Sequence, residues 1–297
     1  MIFFIVVNST SGYGQLLNNQ SGEAFTDRPY FNETIVAKNA IKSIRGNFTH
    51  YKLGDAFRET ELYRSYHFDG SGRLIKQFES RRIHGGIDTL VSIYEYDDAG
   101  NLTALRQRDE FGFYAYIYAY DSAGNVVREE YRRNLTKEAS KGTKFEIGKE
   151  FIVTFETASY QYFDQQRKKT VYNSYDIPYK DVITYFNEDG QVTEEVERLR
   201  RTSGIKKTSY CYNGKGLLDS LKITSNRAGV QERIYVYEYD EFANLTNINY
   251  YKNGEHTTQH SIVYDDKTYL INNILVQNVA TDFIRILRLE EYVFYEE

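Results

Sequence analysis

The chain has 297 residues, of which 41% are hydrophobic, so it holds enough apolar material for a real core and is not a disordered protein. Its 42 acidic and 37 basic side chains are intermixed to a net charge of -5. They form no basic field of the kind that nucleic acid or an anionic membrane surface requires. A single cysteine, Cys211, excludes an internal disulfide and any multi-cysteine metal centre.

Twenty-nine tyrosines stand against only two prolines. Tyrosine suits a half-buried pleated surface and proline is kept out of continuous ladders, so both biases point to sheet. In chain order, Met1 to Val7 is a short apolar run, followed by the small-residue stretch Ser11-Gly12-Tyr13-Gly14-Gln15. Residues 1–15 thus read as a clipped secretory signal without a basic leader, cleaved before Gln15. No later stretch approaches the ~20 apolar residues of a membrane span. Residues 16–40 are an N-terminal lead-in. Asn32 to Gly46 admits a helix capped by Asn32, but Ile41 to Tyr51 alternates as a strand, and strand is expected from Ile41 onward.

From there one motif returns. Its clearest copies are Tyr94-Glu95-Tyr96-Asp97-Asp98-Ala99-Gly100-Asn101-Leu102 and Tyr118-Ala119-Tyr120-Asp121-Ser122-Ala123-Gly124-Asn125-Val126. Aligned on the Asp or Asn, copies fall at 69, 97, 121, 164, 187, 213, 240 and 265, mostly 23 to 28 residues apart. Aromatic residues alternate before the acidic residue and Leu or Val after it, the period of two of a strand with one buried face. Between them Asp-x-x-Gly is turn chemistry: the carboxylate accepts from backbone NH groups ahead of it, and glycine supplies the positive φ of a bulge. Each unit is therefore a hairpin. The opposite turns are less regular: Gly85-Gly86, 109–112, 202–204, 226–229 and 252–254. The Tyr237 to Leu245 copy has Ala243 where the glycine belongs, so its turn must carry strain or change type. The long step from 121 to 164 contains a polar loop near 137–149. Thr281 to Tyr295 alternates well enough to be a closing strand, and Cys211, inside an apparent strand, reads as a small apolar filler.

These residues resemble the YD repeats of the Rhs and teneurin superfamily, with Tyr96-Asp97, Tyr120-Asp121 and Tyr239-Asp240 as literal matches over about residues 62 to 266. The mixture of irregular copies is also similar to small exported proteins of Bacteroidetes-type bacteria. The resemblance implies long antiparallel sheets, a shell in large members, and carbohydrate binding at cell surfaces. Seven or eight units are too few for a large shell, and a toxin role is not expected. The expected fold is thus all-β, with residues 41–297 forming an elongated, twisted antiparallel sheet of repeated β-hairpins or a partial shell.

The candidate site is the tyrosine rows. Tyr94 with Tyr96, Tyr118 with Tyr120, and Tyr235 with Tyr237 and Tyr239 fall at i, i+2 spacing and project from one face, where their rings would stack sugars. If instead they are buried against a second layer, their role is structural. The acidic turns lack the ligand spacing of a calcium loop. His256 and His260, four apart in a strand, are separated by about 13 Å, too far for one metal ion. No nucleophile elbow, phosphate loop or dinucleotide fingerprint occurs. Asn101 and Asn244 fit a glycosylation sequon but read as turn residues. The expectation is a non-catalytic structural or interaction protein, secreted, periplasmic or at the cell surface. It has no cofactor and no metal, with glycans or another surface protein as partner. A carbohydrate-binding surface protein is the second reading and an unrecognised hydrolase the third.

Overall fold

A computed structural model of the protein describes residues 15–109, 112–135, 148–227, 229 and 231–296. The signal-like residues 1–14 and most of the polar stretch 137–149 lie outside the described residues. One helix, α1 (Glu33–Lys38), precedes strands β1 (Ile41–Lys52), β2 (Arg58–Phe68), β3 (Leu74–Ile83), β4 (Gly86–Tyr96), β5 (Leu102–Asp109) and β6 (Gly112–Tyr120). Next come β7 (Val126–Leu135), β8 (Lys149–Phe163), β9 (Gln166–Tyr172), β10 (Pro178–Phe186), β11 (Val192–Leu199) and β12 (Ile205–Tyr212). The last are β13 (Leu218–Ser225), β14 (Glu232–Tyr239), β15 (Leu245–Lys252), β16 (Glu255–Tyr264), β17 (Ile271–Asn278) and β18 (Phe283–Phe294).

Every strand pairs antiparallel with the next, and β18 pairs antiparallel with β1, from Lys52 opposite Phe283 to Ile41 opposite Phe294. The expected open sheet is therefore corrected to a closed 18-stranded meander barrel. Closure follows from the general cost of free edges: an unpaired first and last strand would leave two rows of backbone groups bare, and pairing them removes both. The expected closing strand exists as β18. Strand also begins at Ile41 as expected, and the helix capped by Asn32 ends at Lys38, well short of Gly46.

The repeat builds one rim. At most copies the Asp or Asn accepts from the backbone four residues ahead: Asn101 N donates to Asp97 Oδ1 at 2.8 Å, and Asn125 N to Asp121 Oδ1 at 2.9 Å, while Asp265 accepts from Lys267 N and Thr268 N instead. Gly100 and Gly124 take φ of 86° and 77°, and the register shifts at the adjoining tyrosine, Tyr96 facing Leu102 and Tyr120 facing Val126. Asn101 and Asn244 are turn residues, their side-chain amides returning to Asp97 and Asp240. Ala243 keeps this turn type and takes the glycine's conformation, φ 69°. A ninth copy escaped the sequence pattern because Asp176 replaces its glycine: Tyr172-Asn173-Ser174-Tyr175-Asp176-Ile177 closes the same turn, Asp176 at φ 58°, on the opposite rim.

Where a tyrosine precedes the acidic residue on this rim, it does a second job. Tyr96 Oη donates to Leu74 O at 2.8 Å, Tyr120 to Leu102 O at 2.7 Å, Tyr239 to Leu218 O at 2.8 Å and Tyr264 to Leu245 O at 2.9 Å. Each hydroxyl thus ties its hairpin to the carbonyl that opens the return strand of the hairpin before it. Tyr295 extends the device across the seam, donating to Phe68 O at 2.7 Å.

The lead-in proves to be the second layer. An 18-stranded barrel is too wide for wall side chains to meet across it. Residues 16–40 enter the lumen and bury Leu16, Leu17, Tyr30, Phe31 and Val36 against the inner wall. The phenols of Tyr30 and Tyr66 share a 2.9 Å hydrogen bond, and Phe31 packs on Tyr66 and Phe68 at 4.8 and 5.0 Å between ring centroids. Helix α1 caps the Asp69 turn so closely that a β-carbon on Gly72 would fall 2.0 Å from Glu33 O. The outer face alternates the other way. Cys211, between inward Tyr210 and Tyr212, is exposed, which corrects its reading as a buried filler.

Candidate ligand cavity inside the barrel

The tyrosine rows point inward and lie under residues 16–40. Tyr94, Tyr118 and Tyr237 keep only 4%, 7% and 4% of their surface, so no open aromatic platform for sugars exists there. This burial against a second layer is the arrangement that marks a structural role. Tyr94 Oη donates to Asp27 O at 3.3 Å, and the Arg28 guanidinium lies 5.3 Å from the Tyr118 ring. Tyr96, Tyr120 and Tyr239 are half-buried and occupied by the inter-hairpin bonds above. Burial raises the phenol pKa of Tyr118 to about 12, so it stays a neutral hydrogen-bonding group. Tyr118 and Tyr120 also border a recess at the first rim, between the Asp97 and Asp121 turns.

The inserted segment does not fill the lumen. Between it and β13–β16 remains a cavity of about 520 Å³. Its inner wall is Leu221, Ile223, Tyr235, Tyr237, Ile248 and Tyr250, and residues 22–26, with the Phe25 ring, form the facing side. Register explains the lining: Tyr237 sits opposite Ile248, Tyr235 opposite both Leu221 and Tyr250, so one inward row contributes adjacent apolar side chains. Tyr235 and Tyr250 lie 4.9 Å apart and Tyr235 stacks on Tyr237 at 6.5 Å. Of the tyrosine rows singled out in the sequence, Tyr235 and Tyr237 line this cavity. The others of its set, Leu221, Ile223, Ile248 and Tyr250, needed knowledge of which segment faces the wall. A second cavity of about 620 Å³ on the first-rim side is polar, with Asn19 and Glu23 from the inserted segment facing Arg167, Glu195 and Tyr210. Burial raises the Glu23 carboxyl above its usual range, against the opposing pull of Arg28.

His260 is the polar member of the apolar cavity. It packs edge-on to Phe25 at 5.4 Å, and its Nδ1 is buried without a hydrogen-bond partner. Burial, followed by the charges of Arg64 and Arg285, lowers its pKa to about 4. His256 stacks on Tyr251 at 4.8 Å. Among the described residues no three His, Cys, Asp or Glu side chains converge as metal ligands. The Asp97 and Asp121 carboxylates are held below their usual range by the amides they cap, as turn residues should be.

No family model matches the chain, and no curated protein matches it. Similar solved structures include a porin-like protein from Bacteroides uniformis, with 12% identity over 86% of this chain and 98% of that one, TM-score 0.38. A LolA superfamily protein from Nitrosomonas europaea shows 9% identity over 89% and 93%, TM-score 0.24. The Photorhabdus luminescens Tc holotoxin pore shows 14% identity over 76% of this chain and 12% of that one, TM-score 0.28. These likenesses assign neither a family nor an activity. The resemblance to YD repeats is not upheld, since no family model matches and the sheet closes on itself as a barrel. Tyr-Asp-x-x-Gly is instead what a bulged hairpin needs when its tyrosine must also reach the hairpin before it.

Proposed function

We propose that the protein is a non-catalytic binding barrel that holds an apolar small molecule between Phe25 and the inner wall of β13–β16. The observation that carries this reading is the cavity of about 520 Å³ between the inserted segment and the wall, lined by adjacent aromatic and aliphatic side chains. Apolar cavities with a few polar groups are the common form of a small-molecule site. Its wall belongs to neighbouring hydrogen-bonded strands, so the shape exists before any ligand arrives. Export is part of the proposal, supported by the apolar run Met1 to Val7.

The test is titration with the neutral fluorophore N-phenyl-1-naphthylamine, whose emission rises in apolar surroundings. Saturable binding is expected, weakened about tenfold or more by Ile223→Asp, which places an unpaired carboxyl against the cavity. A fluorescence response absent in the parent, or equal in parent and variant, overturns the assignment.

A further inference from the structure

His260, in the lining of the apolar cavity, is neighboured by a charged cluster that includes Arg64 and Arg285. Strands β16, β17 and β18 place His260, Val276 and Arg285 in one inward cross-strand row, His260 opposite Val276 and Val276 opposite Arg285. Arg285 also faces His50, and its guanidinium lies 4.4 Å from the Phe48 ring. Arg64 projects from β2 to the same place, 5.7 Å from that ring. Both arginines share a single carboxylate, Glu79: Arg64 is ion-paired to it, and Arg285 reaches it at 3.4 Å. The trio therefore carries one uncompensated positive charge.

Two polar atoms of this group have no hydrogen-bond partner in the structure, Arg64 Nε and His260 Nδ1, and both are buried. Buried polar atoms are almost always satisfied. Arg64 retains 17% of its side-chain surface and Arg285 39%, so both still meet water within the barrel. Burial and the neighbouring Arg64 charge lower the Arg285 pKa, the mark of a cation short of counter-charge. Arg285 stands two residues into β18 from the second rim, the side on which Tyr250 and Thr258 border the cavity.

Building on the binding reading above, we propose that the ligand is a single-chain anionic amphiphile of the fatty-acid class. Its tail lies along Tyr235, Tyr237 and Ile248, and its head group is held by Arg64, Arg285 and His260. A carboxylate there supplies the missing counter-charge and acceptors for charge-assisted bonds, which are the stronger kind. It exchanges no covalent bond with the protein.

Displacement of N-phenyl-1-naphthylamine by dodecanoate and by dodecanol separates head from tail. In the unmodified protein dodecanoate is expected to compete about tenfold more tightly than the alcohol. Arg285→Gln, checked for retained sheet by circular dichroism, should shrink that ratio to about threefold or less, with each competition referred to the variant's own fluorophore affinity. Equal competition by the two ligands in the unmodified protein, or no competition by dodecanoate, overturns the head-group assignment and leaves the apolar cavity standing. A fluorophore that does not bind at all removes both.

Discussion

At the scale of single residues, the hairpin turn is where sequence and geometry meet most directly, and Ala243 is its test. A non-glycine residue in the left-handed region costs about 1–2 kcal/mol, while glycine costs the unfolded chain's entropy, about 0.5–1 kcal/mol. Ala243, at φ 69° in an otherwise unchanged turn, carries that strain. Ala243→Gly should stabilise the protein by about 0.5–1 kcal/mol, read as a higher urea midpoint with the slope unchanged. His260 gives a second residue-scale expectation. Its folded pKa of about 4 lies below its usual value of 6.5, so as pH falls from 6.5 the unfolded chain takes up a proton that the folded one refuses. Stability contributed by the neutral ring is thus present above pH 6.5 and lost on the way down to 4. The loss is on the order of 3 kcal/mol at about 1.4 kcal/mol per unit. His50 and His67 are lowered in the same direction, so the measurement is the difference between the parent and His260→Gln across that window. The parent should lose more stability than the variant, and parallel curves would contradict it.

At the scale of elements, the hairpins were legible in the sequence and the inserted segment was not. Asp97, Gly100 and the alternating Tyr94-Tyr96 pair state a turn and its buried face locally, because the capping bonds close within five residues. Residues 16–40 carry no such period. Leu16-Leu17 and Tyr30-Phe31 are apolar pairs in a polar stretch, and only the wall they meet turns them into core. The tyrosine spacing gave the inward face correctly, but not what would cover it. If the segment is locked mainly by its aromatic contacts, Phe31→Ala removes packing against Tyr30, Tyr66 and Phe68 worth about 3–5 kcal/mol. Hydrogen exchange read by mass spectrometry should then rise selectively across residues 16–40. Strands β9 to β12, on the far side of the lumen, should remain as protected as in the parent.

At the scale of the whole molecule, closure was invisible to the repeat, since a list of evenly spaced turns counts strands without saying which two ends meet. The pairing of β1 with β18 joins residues more than 200 positions apart, and only the alternating pattern after Thr281 hinted at it. The closed wall also decides what it can face. Membrane barrels turn apolar side chains outward and polar ones inward. Here the tyrosine rows face inward and the outer face carries a ladder of ion pairs. Arg106 of β5 bonds Glu95 of β4 at 2.7 Å and reaches Glu150 of β8, which takes Arg132 of β7 at 3.1 Å. Glu130 continues the ladder to Arg128 at 2.7 Å. Ala115, in register between Arg106 and Arg132, is completely covered where these long arms lie across it. Placing one arginine of such a face at a bilayer midplane costs about 2–4 kcal/mol, and a ladder of them multiplies that. Folded protein mixed with phosphatidylcholine vesicles should therefore stay in the aqueous fraction on flotation and leave an entrapped dye unreleased. Flotation with the lipid, or dye release, would mean that this outer face is not the one presented to the surroundings.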